Sequence, residues 1–147
     1  MSALRFGYGT NGFANHRLTD ALAVIADLGY EGVALTLDHD HLDPFAPDLA
    51  RRTDDLASTL DRLGLSVVVE TGARYLLDPW HKHAPTLLHD DPAKRLEFLR
   101  RAVRIGADLG RRRSRSGPAS PRPASPTPGT ASCGAAPSWS SAPPRPA

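Results

Sequence analysis

Apolar positions along residues 5–110 switch between two periods, and each switch predicts an element. Residues 5–9, RFGYG, have the character of a short first strand, with Thr10, Asn11 and Gly12 as the turn after it. From there Leu18, Ala21, Leu22, Ile25 and Leu28 form the i, i+3, i+4, i+7 stripe of an amphipathic helix. Asn15 is placed to cap its start and Gly29 its end. In YEGVALTLD, Val33, Leu35 and Leu37 alternate with Ala34 and Thr36, which predicts a mostly buried strand ending at Asp38. After the loop HDHLDPFAP, a second helix is expected from about Asp48 to Leu63, with Leu49, Leu56, Leu60 and Leu63 inward and Gly64 closing it. LSVVVE is a β-branched apolar run of the kind buried on both faces in a parallel sheet. A long loop then spans Thr71 to Asp91, and the N-cap and N1 pair Asp91-Pro92 opens a third helix carrying Leu96, Leu99, Val103 and Leu109.

The three helices share an ending: Leu28-Gly29, Leu63-Gly64 and Leu109-Gly110. A strand follows the first two at once, so the chain spells β-α-β-α-β-α, the pattern of a parallel α/β sheet or barrel. Where a fourth strand is due, the chain reads RRRSRSGPAS.

Composition changes at the same point. Residues 1–110 hold all 16 acids, all six His and 12 of the 18 Lys+Arg, for a net charge of −4. Residues 111–147 carry six Arg and no acid, nine of the 14 prolines, and no Leu, Ile, Val, Met, Phe or Tyr. Such a segment buries too little apolar surface to offset its ordering entropy, which predicts disorder. A wrong-frame translation accounts for the break. With G or C favoured at free codon positions, RRRSRSGPAS reads AEAVSFWSGV in the neighbouring frame, a strand-like peptide directly after Leu109-Gly110. The alternative is a genuine Pro/Ser/Arg-rich disordered tail. On either account the domains are residues 1–110 and 111–147, and the sequence pI of about 9.0 belongs to the second of them.

Several classes drop out. No apolar run approaches the roughly 20 residues that span a bilayer, and the start MSALRFGYGT has neither part of a signal peptide. The lone Cys133 allows neither a disulfide framework nor a cysteine metal site. The expectation is a soluble, cytoplasmic protein with no membrane partner.

Three segments, RFGYGTNGF, LGYEGVALTLDHDHLDP and VVVETGARYLLDPWHKHAPTL, resemble the first three βα units of the sugar phosphate isomerase/epimerase family, the xylose isomerase-like TIM barrels. The frame-shifted string AEAVSFWSGV suits the fourth strand. The resemblance covers about residues 4–110, whereas a whole barrel takes about 250 residues. It implies the N-terminal portion of a (β/α)8 barrel, about three βα units long. In the intact family a divalent metal at the C-terminal face works with an acid/base pair to move a proton beside the carbonyl of a sugar or sugar phosphate. The metal ligands there come largely from later strands, so this chain is expected to be an inactive portion that does not bind the metal itself. An open barrel also leaves strand edges unpaired, which predicts marginal stability or aggregation.

In such a barrel the working residues sit at C-terminal strand ends. By position these are Tyr8, the Asp38-His39-Asp40-His41 cluster, Glu70 and Arg74. His39 and His41, spaced i and i+2, point the same way on an extended backbone, which makes them metal candidates. A polar loop leaving a buried strand is the simpler reading, because a metal needs three or four convergent ligands. Glu70, after three valines, is the candidate catalytic base, since burial raises a carboxyl toward the useful range. A structural ion pair with Arg74 is its alternative. Arg74 otherwise suits a phosphate or carboxylate, and His81 and His83 with Trp80 form a loop able to close over a sugar.

Two other functions share parts of this pattern. An endonuclease-IV-like DNA repair barrel also places His at early strand ends, but the net −4 of residues 1–110 opposes a phosphate-binding face. A non-enzymatic protein acting through its basic tail is the third, and deletion of residues 111–147 separates it from the others.

Overall fold

Residues 4–116 are described by a computed structural model, with side chains described to Arg111. Its three strands, β1 (Gly7–Gly9), β2 (Gly32–Thr36) and β3 (Ser66–Glu70), form one parallel sheet in the order β1-β2-β3. Between and after them run α1 (Leu18–Asp27), α2 (Leu49–Leu63) and α3 (Ala93–Ser116). The α/β class with three parallel βα units therefore stands.

Alternation sorts the strand residues. Val33, Leu35 and Leu37 join Leu22, Ile25, Leu60, Phe98 and Ile105 in a single core, so the helices cover one face of the sheet. The opposite face carries Gly7, Gly32 and Ser66 side by side, then Gly9, Ala34 and Val68, then Thr36 and Glu70. At Gly32 this face has no room for a side chain. The Ser66 hydroxyl donates to Glu31 O (2.9 Å), and a Cβ on Gly32 would stand 2.4 Å from that hydroxyl oxygen.

The first two Leu-Gly pairs end their helices as expected. Gly29 and Gly64 sit at φ 86° and 68°, a conformation that costs a glycine nothing and lets the chain turn straight into the next strand. The third does not. α3 passes through Gly110 and runs on to Ser116, so the first six residues of the basic segment are helical. Residues 117–147 lie outside the described residues, and with them the rest of the segment expected to be disordered.

Other expectations shift. Asn15 does not cap α1: the N-cap is Arg17, and no side chain caps it. β2 ends at Thr36 rather than Asp38. β3 is not buried on both faces, since Val68 is 65% exposed on the face away from the helices. On α3 the inward stripe is Phe98, Ala102, Ile105 and Leu109, while Leu96 and Val103 face outward. Both stripes satisfy helical spacing, and contact with α2 and β3 selects between them.

Candidate functional site

At the C-terminal edge of the sheet, three residues from three successive strand ends are joined. Thr10 follows β1 directly, and its hydroxyl oxygen accepts the Thr36 backbone N–H (2.9 Å). The Thr36 hydroxyl donates to Glu70 Oε2 (2.7 Å). The other carboxylate oxygen, Oε1, lies 3.9 Å from where a Cβ on Gly9 would stand. Parallel pairing of Thr36 with Glu70 brings the two side chains to the same level on the open face. One carboxylate oxygen is thus fixed, and the half-buried carboxylate lies near the backbone of Gly9, which carries no side chain. Such a group can accept a ligand hydroxyl or take up a proton.

Glu70 makes no ion pair with Arg74. Arg74 reaches across to Asn11 instead, donating from Nη1 to Oδ1 (3.0 Å), which ties the loop after β3 to the turn after β1. Tyr8 is elsewhere. It lies within β1, not after it, and alternation turns it away from Gly9 and Glu70. Its ring packs on Phe13 and Tyr30 at centroid distances of 5.7 and 5.5 Å.

His39 and His41 diverge because residues 38–41 form bends rather than an extended strand, with Asp38 Oδ1 accepting the His41 N–H (2.7 Å). His39 is exposed and meets Asp43 (3.1 Å). His41 is buried, and its Nε2 donates to the carbonyls of Phe13 and His16, both at 3.2 Å. The pair does not fit a shared metal ion, and among the described residues no three His, Cys, Asp or Glu side chains converge as a metal site requires.

His81 and His83 hold the long loop together. His83 Nδ1 donates to Gly72 O (2.7 Å) and its N–H to Arg74 O (2.6 Å), closing a segment in which Ala73 and Arg74 both have positive φ. Asp78 accepts from the N–H groups of Trp80 (2.7 Å) and His81 (3.0 Å) and from His81 Nδ1 (3.0 Å). The Trp80 backbone N–H, with the His81 side chain, holds the Asp78 carboxyl below its usual range. The Trp80 ring stands out in solvent and closes over nothing.

Thr10 and Thr36 escape sequence reasoning. Counting from the repeated glycines pairs Thr36 with Thr71, because two residues separate Gly29 from β2 whereas one separates Gly64 from β3. Only the register reveals that Thr36 meets Glu70. No helix among the described residues is long and apolar enough to cross a membrane. Compared with known protein families, curated proteins and solved structures, the chain matches none.

Proposed function

We propose that the chain is the N-terminal portion of a xylose isomerase-like (β/α)8 barrel of the sugar phosphate isomerase/epimerase group, with Glu70 as a proton-handling carboxylate at its sugar-binding mouth. The supporting observation is the Thr10, Thr36 and Glu70 row at the C-terminal ends of three consecutive parallel strands. Parallel α/β proteins bind ligands outside that edge. In the aldose-ketose chemistry of this proposal, the free oxygen of Glu70 takes the proton alpha to the carbonyl. Thr36 holds the other oxygen still, so that the approach geometry is set before the sugar arrives.

Isomerisation also needs a group that returns the proton and one that stabilises the enediolate. Neither stands beside Glu70 among the described residues, so this chain alone should bind without turning over. The test is a titration with an aldopentose, its ketose and their phosphates, followed by backbone amide resonances. Shifts centred on Gly9, Thr36 and Glu70, abolished by Glu70→Ala, are expected. Absence of shifts at these positions with all four compounds overturns the proposal.

A further inference from the structure

β1 and β2 contain three glycines, and two of them have a steric reason. A Cβ on Gly7 would stand 3.0 Å from the carbonyl oxygen of Gly32, and one on Gly32 would collide with the Ser66 hydroxyl. Gly9 has no such reason. Its φ of −79° and ψ of 127° lie in the β region open to any residue. Among the described residues a Cβ there would meet only Glu70 Oε1, at 3.9 Å, an ordinary contact. Glycine weakens a strand relative to alanine, so this position gives up stability that neither backbone conformation nor packing requires. A glycine of this kind inside a strand marks a place where a ligand or another backbone comes close, and no other backbone does so here.

The neighbour of Gly9 gives that space a use. Glu70 belongs to β3 and Gly9 to β1, with β2 between them. Gly9 pairs with Ala34, and Glu70 with Thr36, so the carboxylate reaches across β2 and toward the row below its own. Thr36 holds Oε2. Oε1, the oxygen left free by Thr36, is the one turned toward Gly9. Neither β1 nor β2 carries a charged residue, so nothing on those strands competes for this oxygen as an ion pair.

We propose that Gly9 is a specificity-determining residue of the Glu70 site: the carbon alpha to the carbonyl rests on its bare backbone beside Oε1. A side chain at position 9 would stand where that carbon must stand. The inference rests on the reading of Glu70 as the proton-handling carboxylate, and Gly9 itself carries no proton in it.

The test uses Gly9→Ala and Gly9→Val in the full chain, and opposite trends are expected. The urea midpoint should hold or rise from Gly to Ala to Val, because both replacements suit a strand better than glycine. Affinity for the aldopentose and its ketose should fall about tenfold with alanine and beyond detection with valine, as filling a ligand's space does. The Thr36 amide resonance of ligand-free Gly9→Ala should match that of the wild type, showing that the Thr36 and Glu70 tie is undisturbed. A lowered midpoint for Gly9→Ala gives the glycine a structural role and overturns the proposal. So does loss of binding with a shifted Thr36 amide, which traces to a displaced Glu70, and so does equal affinity in Gly9→Ala and the wild type. These three results leave the reading of Glu70 intact. A wild type that binds none of the sugars or their phosphates instead removes that reading, and the role of Gly9 with it.

Discussion

β2 and β3 are each five residues long and pair along their whole length, but their burial runs opposite to their composition. Gly-Val-Ala-Leu-Thr is buried throughout apart from a half-buried Ala34, while Ser-Val-Val-Val-Glu, richer in β-branched residues, has no fully buried position. The difference lies in their neighbours. Among the described residues β2 has a strand on each side and helices over one face, whereas β3 has a strand on one side only. Its free edge opens into a groove bounded by Val103 and Gly106 of α3. A strand apolar enough to be central is thus placed at an edge, which is the arrangement natural sheets avoid unless something covers it.

The largest test of this contrast is a pair of truncations. Leu35→Ala, at a site with no exposure, should cost about 2–5 kcal/mol. Val68→Ala in β3 should stay within about 0.5 kcal/mol, as surface changes do. Urea unfolding measures both, and a Val68 cost near that of Leu35 would mean that the open face of β3 is covered in solution.

The tie between the strands comes next. Thr36→Val keeps the volume of the side chain but removes the hydroxyl that donates to Glu70, and should cost about 1 kcal/mol. Urea unfolding measures the loss, and an unchanged midpoint would show that this hydrogen bond does not tie β2 to β3.

The repeated Leu-Gly pairs offer a contrast of sign. Gly64→Ala forces an alanine to φ near 68° and should destabilise by about 1 kcal/mol. Gly110→Ala lies in the interior of α3 with open space around its Cβ and should stabilise by about 0.5–1 kcal/mol. If both substitutions destabilise in thermal unfolding, α3 ends at Gly110.

The smallest effect concerns the loop after β3. Because the folded Asp78 carboxyl is held below its ordinary value, its contribution to order is fully present above the ordinary carboxylate range and is lost as pH falls through the lower, folded value. Amide exchange at Trp80 and His81 should rise over that acid range, and Asp78→Asn should abolish the transition. A transition unchanged in Asp78→Asn assigns it to another group.

Much of the fold was legible in the chain. The spacing of Leu22 and Ile25 and of Leu56 and Leu60, and the glycines after Leu28 and Leu63, are local signals, each carried within one or two turns of its own element. Glu70 was legible as a strand-end carboxylate for the same reason. The failures were at positions whose meaning depends on a distant partner. His39 and His41 look equivalent two residues apart, yet a bend at Asp38 sends one to solvent and the other beneath the start of α1. Arg74 and Glu70 look like a pair, but Asn11 and Thr36 take them separately.

The sequence by itself determined that three helices alternate with three strands and that the strands pair in parallel, because periodicity, glycine stops and short connections are properties of neighbouring residues. Tertiary structure alone decided which face of β3 stays open, that Thr36 rather than Arg74 holds Glu70, and that His41 is a buried imidazole with one unused nitrogen. Each depends on strand register or on a crossing between elements, where a displacement of one residue exchanges one partner for another at little local cost.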